Sequence, residues 1–106
     1  MAKQRNAEEY DDRAQEDSGL NRIVGSNLHK ARAKARTPGG KVVTFEWLSK
    51  VTTLHHGSIR RFEKGESGMT VATLIRLKEA LGCSWDDLLE NCESVIVRGR
   101  KKHLKN

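Results

Sequence analysis

Four side chains that could bind a metal ion or a nucleic acid lie close together in the segment 52–68, TTLHHGSIRRFEKGESG: His55, His56, Arg60 and Arg61. The large apolar residues of the same segment are Leu54, Ile59 and Phe62, which predict one narrow apolar face on a short helix. Imidazole nitrogens bind zinc, whereas guanidinium groups donate to phosphates and to base edges. A solvated surface helix would have a similar composition, so the rest of the chain has to decide among the three interpretations.

The motifs that metal binding and catalysis require are incomplete in this sequence. Cys83 and Cys92 are too far apart for a paired zinc motif, and the two adjacent histidines would point in different directions around a helix. A phosphate-binding loop would need Gly in place of Ala35 and Ser or Thr in place of Val42. We therefore expect a protein that is not an enzyme and that has no metal or other cofactor.

The charge of the chain is unevenly distributed. The net charge is +6 over 106 residues, but residues 1–18 carry −3 and the remainder therefore carries +9. A small body with so many basic residues favours a polyanionic partner such as nucleic acid. An anionic membrane surface is a weaker alternative, and a basic surface that only aids solubility is a third.

Cellular location is predicted from what the sequence lacks. It has no apolar run near the roughly 18 residues that a membrane span needs, and its N-terminus lacks the apolar centre of a secretory signal. We expect a cytoplasmic protein with no membrane association. Two cysteines are too few for a disulfide framework, and each is interpreted as a small buried hydrophobe.

Helical periodicity begins at Leu20 and predicts an all-α domain of five short helices. The predicted N-cap residues are Thr44, Thr70 and Ser84, the last in a capping box with Asp87. Together with glycine stops, they place the helices at 20–36, 44–51, 55–64, 70–81 and 84–92. The chain then divides into a polar, disordered acidic tail, the domain itself and a C-terminal extension, with bounds at 1–18, 19–92 and 93–106. The extension begins with a β-prone run, SVIV, and ends in a basic tail.

The second and third predicted helices, TFEWLSKVTTLHHGSIRRFE, have the arrangement of a helix-turn-helix unit. In that unit the second helix lies in the major groove of DNA, while the first crosses the backbone. The apolar residues of the pair would then face inward. The polar residues would face outward: His55, His56, Gly57, Ser58, Arg60 and Arg61.

Residues 20–91 resemble the Cro/lambda-repressor-like (Xre-type) helix-turn-helix family. The resemblance lies in TFEWLSKV, in SIRRFEKGES and in TVATLIRLKEALGCSWDDLL. It implies a five-helix domain that binds an operator in double-stranded DNA as a homodimer and regulates transcription, most plausibly as a repressor. Three positions depart from the family pattern: Phe45 replaces a phosphate-binding Gln, Ser49 replaces a small Ala, and Thr53 replaces a turn Gly. Thr53 should be strained if the turn needs a positive φ. The connection between the first two helices is also longer than usual.

Individual roles follow from the resemblance and from side-chain chemistry. Arg61 is the best candidate for gripping a guanine, and His56 and Gly57 occupy groove-facing positions beside it. Contacts with the DNA backbone are predicted for Lys41, Thr44, His55, Ser58, Arg60 and Lys64. The resemblance implies that Glu63 forms a structural ion pair with an arginine of the first helix, either Arg32 or Arg36.

Specific recognition in genomic DNA usually requires two half-sites, which favours a dimer. The dimer contact is predicted in the last helix and the β-prone run, with strand pairing over 94–97 as one possibility: Trp85, Leu89, Val95, Ile96 and Val97. An alternative function is the antitoxin of a toxin–antitoxin pair, in which one of the tails would bind a toxin or another regulatory protein. A protein-interaction module without DNA binding is the third hypothesis.

Overall fold

A computed structural model describes the backbone of residues 2–96 and the side chains of residues 13–96, and this part of the chain is all-helical, as the sequence predicted. Its helices are α1 (Ala2–Lys34), α2 (Phe45–Thr52), α3 (His56–Lys64), α4 (Val71–Leu81) and α5 (Trp85–Leu89). A further helical turn covers residues 92–96. None of the helices in the described range is both long and apolar enough to cross a membrane.

Helix α1 is much longer than predicted, because it continues back to Ala2 through the region expected to be a disordered tail. That prediction relied on the polarity of residues 1–18. The segment contains no Pro or Gly, and its Ala, Glu, Gln and Arg residues favour a helix even though the segment has few apolar residues. Polarity alone therefore did not distinguish a helix from an unstructured tail.

The core is formed by one or two apolar residues from every element around α1. Helix α1 packs against α3 and α5, while α2 packs against α3 and α4. Six side chains are completely buried at the centre: Leu28, Val43, Leu48, Ile59, Leu77 and Leu88. Ile59 thus anchors α3 to the core, which leaves the opposite side of that helix free to face outward.

Helices α1 and α3 approach each other unusually closely at Gly25. A Cβ atom added to Gly25 would lie only 2.2 Å from the carbonyl oxygen of Phe62. Only glycine can occupy such a position, because any side chain would collide with the backbone of α3. The orientation of α3 relative to α1 therefore depends on this residue.

The turn between α2 and α3 consists of residues 53–55 and contains a strained backbone. Thr53 has φ 62° and ψ 13°, the left-handed conformation for which glycine is the favoured residue. The sequence indicated strain at Thr53 if this turn needed a positive φ, and the turn does. The Ser49 hydroxyl donates to the carbonyl of Leu54 at 2.5 Å, so this side chain ties α2 to the turn.

The long connection between α1 and α2 contains a single antiparallel bridge between Arg36 and Val42. Within it, the backbone N–H of Thr37 donates to the carbonyl of Lys41 at 2.8 Å, and Gly40 takes the left-handed φ of +81°. This small hairpin accounts for the extra residues of the connection, since they form a closed turn rather than an extended loop.

Helix α5 begins with a capping box and ends against α1. Ser84 and Asp87 exchange side-chain to backbone hydrogen bonds of 3.0 Å each, as the sequence predicted. At the other end, the buried Asn27 amide donates to the carbonyls of Leu88 at 2.9 Å and Glu90 at 3.0 Å. The last turn of α5 is therefore held by a polar side chain of α1.

The strand predicted over residues 94–97 is not seen where the structure describes this segment, because residues 92–96 are helical. Asn91, with φ 68°, turns the chain, and the Ser94 hydroxyl donates to its carbonyl at 2.7 Å. Local helical hydrogen bonds satisfy these backbone groups, whereas a strand would need a partner strand. Val97 and the basic tail lie outside the described residues.

Candidate nucleic-acid interface

The N-terminus of α3 is organised by its two histidines. His55 is the N-cap residue, and its Nδ1 accepts a hydrogen bond of 3.1 Å from the backbone N–H of Gly57. The rings of His55 and His56 stack with centroids 4.6 Å apart, and both side chains are exposed. The cap therefore uses one ring nitrogen of His55 and leaves His56 at the outer start of the helix.

The exposed side of α3 presents two adjacent rows of residues with helical spacing. His56, Arg60 and Lys64 follow one another at intervals of four, and Gly57 and Arg61 form the neighbouring row. Arg60, Arg61 and Lys64 are exposed, and in the described part of the chain none of them forms an ion pair. The predicted base-reading residues His56, Gly57 and Arg61 therefore lie on one basic surface whose charges are not paired with acidic side chains of the described residues.

The other residues predicted to contact a backbone lie on three different elements. Ser58 is half-buried in α3, and Lys41 is exposed in the connecting hairpin. Thr44 is exposed at the N-cap of α2, where its hydroxyl oxygen accepts from the Trp47 N–H at 3.1 Å. Thr44 thus has a structural role in capping, and its hydroxyl can still donate to an outside acceptor.

A largely buried ion pair fixes α3 to α1. Glu63 accepts two hydrogen bonds from the Arg32 guanidinium, at 2.6 Å from Nε and 3.0 Å from Nη2, and the two side chains are 7% and 15% exposed. Arg32 therefore fills the role for which the sequence left two candidates. The other candidate, Arg36, donates instead to the carbonyls of Ala33 and Ala35.

His29 completes this cluster and was not identified from the sequence. Its Nδ1 lies 2.9 Å from Oε1 of Glu63, and because a carboxylate only accepts, this nitrogen carries the proton. The signal in the sequence was its position three residues before Arg32, which places both side chains on the same side of α1. The Glu63 carboxylate thus has three donors from α1.

Phe45 lies beside this cluster, at the first position of α2. The guanidinium carbon of Arg32 is 4.1 Å from the centre of its ring, and that of Arg60 is 5.1 Å from it. Both distances are within the range of cation–π contacts. The ring borders an open cleft of about 420 Å³ that is lined by His29, Arg32, Phe45, Arg60, Glu63 and Lys64.

No family model, no curated protein and no solved structure matches this chain. Its function must therefore be inferred from its own residues, of which the exposed face of α3 and the cleft beside Phe45 are the most distinctive.

The residues predicted to form a dimer contact fall into two groups. Trp85, Leu89 and Ile96 are 39%, 42% and 43% exposed, which is high for large apolar side chains. Val95 is half-buried and packs against α1 at Gly19. A Cβ atom added to Gly19 would lie 3.6 Å from the Val95 side chain, which is ordinary contact distance. The first group remains open to a partner, while Val95 packs within the chain.

Cys83 and Cys92 are free thiols, both half-buried, and burial raises the pKa of each. A raised pKa keeps the thiol protonated and poorly nucleophilic. No cluster of three potential metal ligands is present among the side chains from residue 13 to residue 96.

Proposed function

We propose that this protein binds double-stranded DNA in a sequence-specific manner, as a helix-turn-helix transcriptional regulator of the Cro/lambda-repressor-like type. Helices α2 and α3 form the helix-turn-helix unit, and α3 lies in the major groove. The observation that carries the proposal is the exposed face of α3, where Arg60, Arg61 and Lys64 have no acidic partner among the described residues. The protein acts in the cytoplasm as a homodimeric repressor.

Base recognition is assigned to residues at the start and in the middle of α3. Arg61 grips the O6 and N7 atoms of a guanine, which is worth about 1–3 kcal/mol of discrimination. His56 donates to a base edge from the start of the helix, and Gly57 permits a close approach. The spacing of four residues between Gly57 and Arg61 puts both on the same row of the exposed face.

Backbone contacts are assigned to residues around this row: Lys41, Thr44, His55, Ser58, Arg60 and Lys64. The ion pair of Glu63 with Arg32 supports them indirectly, because it holds α3 on α1 in one orientation. Recognition requires such a fixed orientation, since backbone contacts set the register in which base contacts are made.

The test begins with selection of bound fragments from a random pool of DNA duplexes. An enriched sequence is expected, and its affinity should fall steeply with salt because several phosphates are neutralised. Arg61→Ala should relax the preference at one base position, whereas Lys64→Ala should weaken all sequences to a similar extent. Arg76→Ala, which removes an exposed arginine from α4, is the charge-matched control and should change neither property.

Two results would contradict the proposal. A pool that shows no enrichment after repeated selection would exclude sequence-specific binding and favour a protein-interaction module. Equal effects of Arg61→Ala and Arg76→Ala on affinity and preference would show that α3 does not face the bases.

An antitoxin function is the second candidate, and it is favoured by the N-terminal part of α1. Residues 1–18 carry a net charge of −3, and from Ala2 onward this segment is a continuous helix rather than the expected tail. An acidic helix fits a basic protein partner better than it fits DNA. A complex between this protein and the product of an adjacent reading frame, broken by Glu16→Lys with Asp17→Lys, would support this function.

A further inference from the structure

Phe45 occupies a position where an aromatic ring has no obvious reason to be. It begins α2 beside basic residues, and it is half-buried, with part of its surface packed against the core. A leucine could supply the same packing. What the ring adds is a face that attracts cations, and two guanidinium groups lie within contact distance of it.

The guanidinium groups of Arg32 and Arg60 differ in how many hydrogen bonds hold them in place. Arg32 is fixed, because its Nε and Nη2 donate to Glu63 and its Nη1 donates to the carbonyl of Val43 at 3.1 Å. Arg60 is exposed, and among the described residues it forms neither a hydrogen bond nor an ion pair. The ring of Phe45 is therefore the contact that restrains the Arg60 guanidinium while leaving its N–H donors available.

We propose that Phe45 is a positioning residue, which holds the Arg60 guanidinium ready to donate to a phosphate of the DNA backbone. This inference depends on the proposed DNA-binding function and assigns one of its phosphate contacts. An unrestrained arginine would lose conformational freedom on binding, whereas one held against an aromatic ring has lost part of it already. The open cleft beside Phe45 suits a phosphodiester, because Arg60 and Lys64 line it with positive charge. The negative charge of Glu63, which also lines it, is compensated by Arg32.

The first experiment measures the contact without DNA. In NMR spectra, the side-chain protons of Arg60 should be shifted upfield by the ring current of Phe45. Phe45→Tyr should keep this shift, and Phe45→Leu should abolish it while preserving the fold, as judged by circular dichroism and thermal melting. Arg60 protons at random-coil positions in the wild-type protein would overturn the proposal whether or not the protein binds DNA.

The second experiment measures binding to a duplex obtained by selection. Cation–π contacts at exposed sites correspond to about a two- to fivefold change in affinity, so Phe45→Leu should weaken binding by that factor. Phe45→Tyr should bind within about twofold of the wild type. In an Arg60→Gln background, Phe45→Leu should have no further effect, because the residue through which it acts is gone.

The outcomes separate the two levels of inference. An equal loss from Phe45→Leu in the wild-type and Arg60→Gln backgrounds would show a merely structural role and overturn the proposal, while the DNA-binding function would stand. If Phe45→Tyr bound DNA as weakly as Phe45→Leu, the proposal would also be overturned, because a tyrosine ring should hold Arg60 as a phenylalanine ring does. A wild-type protein that binds no duplex would overturn the proposed function and the phosphate role together.

Discussion

Replacement of Glu63 by glutamine should destabilise the protein by about 2 kcal/mol. Breaking a buried ion pair typically costs about 3–5 kcal/mol, because one charge is left without its partner. The cost here should be lower, because Arg32 is 15% exposed and keeps its hydrogen bond to the Val43 carbonyl. Glutamine also retains one acceptor oxygen. For a domain of this size, the loss corresponds to a decrease of roughly 8–16 °C in Tm.

A double variant provides the matched control for this prediction. Glu63→Leu with Arg32→Met removes both charges, and apolar replacement of a whole buried pair is often neutral. The Val43 carbonyl would lose its donor, so we expect a net cost of about 1 kcal/mol. Urea denaturation followed by circular dichroism gives both free energies of unfolding. If Glu63→Gln changed the free energy by less than about 0.5 kcal/mol, or if the double variant were the less stable of the two, the reasoning about buried charge would be refuted.

Three further predictions concern the turn, the last helix and the dimer. Thr53→Gly should raise the free energy of unfolding by about 0.5–1 kcal/mol. The left-handed conformation costs a threonine about 1–2 kcal/mol, and the greater conformational entropy of glycine in the unfolded chain offsets part of the gain. Urea denaturation measures the change, and a decrease in the free energy of unfolding would refute the prediction. Hydrogen bonds from Ser84 lower the pKa of Asp87 below its ordinary value of 3.8, so its contribution to stability is present above that value and is lost as the pH falls through the lowered pKa. An NMR titration should show Asp87 with a midpoint below 3.8, and a midpoint at or above that value would contradict the capping contribution. Trp85→Ala with Leu89→Ala should convert a dimer to a monomer in sedimentation velocity, and an unchanged sedimentation coefficient would exclude this surface as the interface.

The elements that could be predicted from the sequence are those determined by local chemistry. Thr44, Thr70 and Ser84 are N-cap residues in the structure as they were in the prediction, because a side-chain oxygen at that position bonds to a backbone N–H two or three residues later. The strain at Thr53 was also a local property. The starts of α2, α4 and α5 and the all-α class therefore followed from short-range patterns, whereas the start of α1 and the end of α5 did not.

The features that could not be predicted depend on residues far apart in the sequence or on competing local preferences. Asn27 bonds to carbonyls more than sixty residues away, and nothing near it in the chain indicates those partners. The approach of Arg60 to Phe45 depends on how α3 is packed beside α2. The helical turn at 92–96 was missed because the β-branched residues around Val95 favour a strand, while the backbone found its partners locally.

The close contact between Gly25 and the backbone of α3 limits which residues around the exposed face of α3 can be substituted. Gly25 lies beneath the helix and is itself buried, with no surface of its own to offer DNA. A single methyl group there would push the whole exposed face of α3 away from α1, whereas Arg61 could be replaced by many residues without moving the helix. Under the proposed DNA-binding function, the residues that determine specificity could therefore be substituted, whereas Gly25 could not.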